Sequence, residues 1–295
     1  MFLVVCTYSC ILGSARVTAL HSIDGRPADP ADAARLLAVG NGLFETMHFD
    51  GNHLPLRHRH LSRLLSGLAR LAIAKPAHLE PVLDSLLAQL PSACVVRLAV
   101  VAIEDQTAVV IQSRPLPAAQ QAVSVGISQY NLLSEPELAG LKHLRRPVLE
   151  QVAIERDSRF EDDLLVCNGA GDVIEASYSN LFFKRNGRWF TPSLGDCGVA
   201  GVMRNVLLEE IFPALNIAVE VATISRHNLA EVTAAFLSNA VRGIWSVGRL
   251  CGRELTASDE FAALQRAVNA NYPCLGNPCL KHFSSEISAP PSSSF

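Results

Sequence analysis

DLLVCNGAGDVIEASYSNLFFKRNGRWFTP, residues 163–192, is the stretch whose reading decides the fold class of this chain. Its apolar runs DLLVCN, VIEASYSNLFFKR and RWFTP are separated by Gly169-Ala170-Gly171-Asp172 and by Asn186-Gly187. Glycine and Asn-Gly turns supply the left-handed backbone that tight hairpins require, so the spacing predicts a β-meander. Gly169-Ala170-Gly171 is not read as a dinucleotide loop, because it lacks the third glycine and precedes a strand.

Upstream of the meander a helix opens at Pro147, where proline is tolerated because that N–H would be unpaired anyway. QYNLLSEPELAG, residues 129–140, is polar and holds a proline, which predicts an interdomain connection. Before it, CVVRLAVVAI and TAVVIQSR read as two strands joined at Glu104-Asp105. A helix is predicted over about Glu80 to Leu90. Another carries Leu61, Leu64, Leu65, Leu68 and Leu71 at spacings of three and four and is closed by Pro76. GLFETMHFD, residues 42–50, alternates and ends at Asp50-Gly51, a hairpin signal. Downstream of the meander, a helix is expected over Met203–Phe212 and a strand over Ala234–Leu237.

These elements predict an α+β protein of two domains, 21–128 and 141–276, joined by 129–140. An atypical N-terminal tail, 1–20, precedes them, and a proline- and serine-rich tail, 277–295, is too poor in apolar side chains to order itself. The 295 residues are 49% hydrophobic and 18% charged, the balance of an ordinary globular enzyme. A net charge of −3 with scattered basic residues excludes a nucleic-acid partner. The apolar stretch Met1 to Leu20 lacks the basic start of a signal peptide, and no later run suggests a membrane span, so a cytoplasmic protein is expected. The eight cysteines are irregularly spaced and are read as reduced, mostly buried thiols. His53, His58 and His60 crowd one segment without a second ligand pair; they read as a solvated helix entry, and no metal is expected. No serine or cysteine nucleophile signature is present.

Six segments in order carry more information than any one alone. They are GNGLFET (Gly40–Thr46), HLSRL (His60–Leu64), GLKHL (Gly140–Leu144), VIEASYSNLFF (Val173–Phe183), GVAGVMRN (Gly198–Asn205) and SNAVRGIWSV (Ser238–Val247). Together they resemble the fold type IV pyridoxal-phosphate enzymes. The resemblance implies a two-domain architecture: a smaller N-terminal α/β sandwich and a larger, β-barrel-like C-terminal domain with helices. It implies pyridoxal 5'-phosphate attached to Lys142, with Glu175 against its pyridine nitrogen. Arg63, the backbone at Val202 and Met203, and Asn239 and Ala240 would hold the phosphate, whereas Phe44, Thr46 and Arg242 would face a small-molecule substrate. The group is usually dimeric. Chemistry agrees with the pairing, since a lysine forms imines only when its surroundings lower its pKa, and the ring accepts electrons best when its nitrogen stays protonated.

Within that group, GLKHL and NAVRGIW resemble 4-amino-4-deoxychorismate lyases, which release 4-aminobenzoate and pyruvate for folate biosynthesis. The branched-chain aminotransferases differ: a tyrosine stands where this chain has Pro147, and threonines where it has Met203 and Ala240. The chain also departs from the lyases at Asn41, Arg145 and Pro147, and in lacking an arginine- and glycine-rich loop after Val96-Arg97-Leu98-Ala99. Arg242 or Arg145 would then supply charge for substrate carboxylates. An aminotransferase on a small or branched-chain amino acid, or a degenerate member that binds without turnover, stays open at this point.

Overall fold

The computed structural model describes residues 19–119 and 122–275. Residues 1–18 of the expected leading tail and the whole expected tail 277–295 lie outside the described residues.

The first sheet has the order β2-β1-β5-β4-β3, built from β1 (His21–Ile23), β2 (Arg26–Pro27), β3 (Asn41–Phe49), β4 (Cys94–Ile103) and β5 (Gln106–Arg114). Helices α1 (Pro30–Val39), α2 (Arg57–Arg70) and α3 (Leu79–Leu87) flank it. In β3 the alternation seen in the sequence sorts side chains between two covered faces. Leu43 and Met47 join Leu61, Leu64 and Leu68 of α2 and Leu79 and Leu83 of α3 in one core, whereas Phe44 packs with Ala33 and Leu144 on the other. Asp50-Gly51 does not close a hairpin. The partner of β3 is β4, and the Asp50 carboxylate instead accepts from the N–H groups of Asn52 and His53, turning the chain toward α2.

The second sheet has nine strands. They are β6 (Ala122–Leu132), β7 (Asp163–Asn168), β8 (Val173–Ala176), β9 (Asn180–Arg185), β10 (Arg188–Pro192), β11 (Val219–Ala222), β12 (Ala234–Asn239), β13 (Gly243–Leu250) and β14 (Arg253–Glu254). The order β11-β10-β9-β12-β13-β6-β7-β8 contains the expected meander, but β8 does not pair with β9. The sheet curls instead, so that its ends meet: Val173 N–H donates to Ile224 O at 2.8 Å and Arg226 N–H to Gly171 O at 3.0 Å. Helices α4 (Pro147–Asp157), α5 (Val202–Val206), α6 (Phe212–Ala214) and α7 (Asp259–Asn271) pack outside, with a π turn, Leu207–Ile211, joining α5 to α6.

The boundary between the halves falls earlier than the sequence suggests. The chain leaves the first sheet after Arg114 and enters the second at Ala122, so Gln129–Leu132, expected to be connection, is the end of strand β6. Polar side chains hid this strand. Ser128 donates to the buried Glu155 carboxylate of α4 at 2.6 Å, and the Gln129 N–H donates to the same group, so this polarity is satisfied inside the fold. Among the described residues no helix is long and apolar enough to cross a membrane. Cys94, Cys167 and Cys197 are free and buried, as expected, while the free thiol of Cys251 is exposed.

Candidate active site

Lys142 sits on a segment stitched to the first sheet on one side and to the loop before α5 on the other. Phe44 N–H donates to Lys142 O at 2.9 Å and Leu144 N–H to Gly42 O at 2.8 Å, which adds residues 142–144 to the free edge of β3. On the other side Gly140 N–H donates to Gly198 O at 2.9 Å, and Ala200 N–H to Gly140 O at 3.0 Å. The lysine is thereby held at the junction of the two halves. Its Nζ lies 4.6 Å from the centre of the Phe44 ring, while the Arg97 guanidinium lies 4.3 Å from the same centre.

A cavity of about 530 Å3 opens there, lined by Lys142 together with Phe44, Thr46, Arg63, Glu175, Val202, Asn239, Ala240 and Arg242. Nine of the ten residues expected from sequence therefore converge on it. The tenth, Met203, is fully buried in the core between α5 and β12 and does not line the cavity. Asn239 is also used by the fold: its amide oxygen accepts from the N–H groups of Val241 and Arg242 at 3.0 and 2.9 Å and holds the β12–β13 turn. Gly243 closes that turn at φ +73°, and a Cβ there would lie 2.5 Å from Leu275 O.

Burial of Lys142, with Arg146 and then Arg63 nearby, lowers its ammonium pKa to about 7, although Glu45 and Glu175 oppose the shift. Glu175, on β8, is 3% exposed and accepts from Val199 N–H at 3.0 Å. Its burial pushes the carboxyl pKa up, against the pull of Arg146, the Val199 N–H and Lys142. About half of the amine is therefore unprotonated at pH 7. In the apoprotein the rate at which Lys142 attacks a carbonyl is expected to rise with pH and reach half its maximum near 7, well below the ordinary lysine value of 10.5. Reductive methylation followed by peptide mapping at a series of pH values measures it; a midpoint near 10.5 would show an ordinary solvated lysine.

Arg63 is not the solvated cation that the polar face of α2 allowed. Its Nε and Nη2 donate to the two oxygens of Glu45 at 2.8 and 2.5 Å, and its Nη1 donates to Ala200 O at 2.7 Å. Three of the five guanidinium N–H groups are thus engaged, leaving two for a ligand. Glu45 is 1% exposed and also accepts from His60 Nδ1 at 2.6 Å. Arg63 and His60 hold the Glu45 pKa below the ordinary carboxylate value despite the opposing effect of burial. His60, expected at a solvated helix entry, is 1% exposed. Glu45 and Arg146 belong to the site's charge network without having been singled out, and His60 belongs to it although it was read as a solvated helix entry. Glu45 and His60 lie inside GLFET and HLSRL, but no local spacing tells that residues 45 and 63 meet.

The helix after Gly201 reaches the same wall because α2 is clamped to it. Leu56, left-handed at φ 62°, packs with Val202 and Met203, and Arg59 bridges to Glu209 and Glu210 in the π turn at 2.6 and 2.5 Å. Gly201 faces Asn180 so closely that a Cβ would lie 1.9 Å from its Oδ1. First-turn N–H groups of a helix have no intrahelical acceptor, so those after Gly201 can receive an anion. Arg145, expected as one source of substrate charge, lines a second cavity of about 710 Å3 instead.

The amino-transferase class IV family model matches residues 42–250, more than two thirds of the sequence. This chain belongs to that family. It is similar to an aminodeoxychorismate lyase from Vibrio harveyi, with 30% identity over 154 residues, 52% of this chain and 56% of that protein. The alignment thus spans little more than half of the relative's length. A 4-amino-4-deoxychorismate lyase from Pseudomonas aeruginosa superposes with a TM-score of 0.78 and 31% identity, covering 86% of this chain and 99% of that one. The pyridoxal-phosphate-bound form of a hypothetical aminotransferase from Mycobacterium tuberculosis shares the fold at a TM-score of 0.72 and 17% identity, with 85% and 98% covered. The two-domain fold type IV architecture expected from the sequence is therefore the one observed.

Pyridoxal phosphate fits the residues present. An amine whose pKa is lowered to about 7 and a buried carboxylate line one cavity, and a glycine-started helix and the two remaining N–H groups of Arg63 suit a phosphate.

Proposed function

We propose that the chain is a pyridoxal-phosphate-dependent lyase that converts 4-amino-4-deoxychorismate to 4-aminobenzoate and pyruvate. The observation that carries this reading is a lysine with its pKa near 7 sharing one cavity with a buried carboxylate, in a chain 30 to 31% identical to such lyases.

The bound cofactor would supply an electron sink for charge developing on the substrate. The rest falls to the protein. Lys142 would hold the cofactor, then take the proton from C4 of the substrate ring and return a proton to the departing enolpyruvyl group. Glu175 would keep the pyridine nitrogen protonated. Arg63, the backbone of Val202 and Met203, and the backbone at Asn239 and Ala240 would seat the phosphate. Phe44, Thr46 and Arg242, which line the cavity with Lys142, would face the substrate. Arg242 donates to the Tyr178 hydroxyl at 3.2 Å and stacks on the Tyr178 and Trp245 rings, which positions its charge for a substrate carboxylate. A cytoplasmic homodimer is part of the proposal and rests on the family resemblance.

The test is product analysis with purified holoprotein and aminodeoxychorismate in the absence of any amino acceptor. Pyruvate and 4-aminobenzoate should appear in equal amounts. A requirement for 2-oxoglutarate would make it an aminotransferase, and a cofactor chromophore without turnover would make it a binding protein.

A further inference from the structure

Arg146 precedes α4, four residues after Lys142, and its side chain is only 15% exposed. Its Nη2 lies 3.5 Å from Glu175 Oε1, and it lines the first cavity and also the second. Arg63 lines only the first. Between them these two guanidinium groups account for the cationic influence on Lys142, Arg146 having the larger effect. Nothing in the sequence motifs singles Arg146 out.

The ring of pyridoxal phosphate has its aldehyde carbon opposite its nitrogen. One flank carries the phosphate arm and the other the 3-oxygen. A ring that spans from Lys142 to Glu175 must therefore turn one flank toward each side of the cavity. The Arg63 and Gly201 wall suits the phosphate. The remaining buried cation next to both the lysine and the carboxylate is Arg146.

We propose that Arg146 is a further catalytic residue of this site, donating a hydrogen bond to the 3-oxygen of the bound cofactor and holding that oxygen as an anion. The inference rests on the attachment of the cofactor to Lys142. Arg146 would then divide its donors between the ring oxygen and Glu175, which explains why a buried carboxylate needed at the ring nitrogen has an arginine at its side. The groups acting on Lys142 from the surrounding elements are Arg146 beside it, Arg63 on α2, Glu45 on β3 and Glu175 on β8, so removing Arg146 removes one of the two positive neighbours and leaves both carboxylates in place.

A double comparison tests the contact. Affinities of pyridoxal phosphate and of 3-deoxypyridoxal phosphate, which lacks the 3-oxygen, are measured by equilibrium dialysis for the wild type, Arg146→Met and Arg146→Lys. In the wild type, loss of the 3-oxygen should weaken binding about tenfold or more, the effect of losing a hydrogen bond to a charged group. In Arg146→Met the difference between the two ligands should shrink severalfold, to what the 3-oxygen contributes within the cofactor itself. Arg146→Lys, which keeps the charge, should restore part of the difference and serves as the control if the methionine variant folds poorly. A second readout is the pH at which the chromophore of the bound cofactor changes its absorbance, which should rise in Arg146→Met and stay near the wild-type value in Arg146→Lys. An unchanged preference for the 3-oxygen in Arg146→Met would overturn the proposal, even if the pH midpoint moved. Failure of the underlying reading looks different: borohydride would then fix no cofactor on Lys142 in the wild type itself.

Discussion

Replacing Lys142 with alanine is expected to lower turnover by about three to four orders of magnitude, the scale of losing a proton-transferring group that also holds the cofactor. Borohydride reduction should fix cofactor covalently to the wild type and leave the variant with none after denaturation and dialysis. Residual turnover within tenfold of the wild type, or a reduced adduct on another lysine, would remove Lys142 from the reaction. The same variant carries a stability signature whose sign is set by the shifted pKa. In the cofactor-free wild type, compared with the cofactor-free variant, Lys142 titrates at about 7 when folded and near 10.5 when unfolded, so between these values the unfolded chain binds the extra proton and stability rises with pH. Alanine has no such dependence. The variant should therefore be the more stable protein below pH 7, and its advantage should shrink as the pH climbs from 7 toward 10.5. Urea denaturation at several pH values reads this directly.

The second large effect is expected at Glu45. This carboxylate is 1% exposed and binds both Arg63 and His60, so Glu45→Ala strands a guanidinium and an imidazole that share it as their carboxylate partner among the described residues. Breaking a buried pair from one side costs about 3–5 kcal/mol. For a chain of this size that corresponds to a melting temperature lower by roughly 5–8 °C. Glu45→Gln retains the shape and one acceptor and should lose less. A melting temperature within 2 °C of the wild type for Glu45→Ala, on the order of a surface substitution, would show that the three side chains do not act as a unit. Loosening Arg63 should also weaken pyridoxal phosphate more than pyridoxal, because only the former carries the group that Arg63 would face.

Much of the second half was legible because its signals are local. Asn186-Gly187 turns β9 into β10 as a hairpin should, and the paired strands follow. The curl that brings Val173 to Ile224 was not legible, since no pattern within residues 163–192 specifies what lies beyond the edge of β8. Strand β6 was missed for a different reason. Its polar residues Ser128 and Gln129 looked like a connection because the carboxylate that satisfies them, Glu155, stands on a helix some 27 residues later. The site followed the same rule. Lys142, Glu175 and Arg63 were found through ordered motifs, whereas Glu45, His60 and Arg146 gain meaning only from neighbours that folding delivers. Arg63 shows the cost of stopping at the motif, because its charge is already matched by Glu45.

The double stitching of residues 140–144 has a consequence for how a reactant reaches the lysine. Because the peptide groups on either side of Lys142 are bonded to opposite halves of the molecule, those halves cannot swing apart like a clamshell without severing the strip that bears the amine. Access along the cavity wall that includes Arg114, Tyr178 and Arg242 would then depend on rotation of side chains and not on hinge motion. Entry would then be gated on the fast timescale of such rotations, and exchange of small carboxylates should be quick even in a backbone that resists deuterium exchange at residues 140–144.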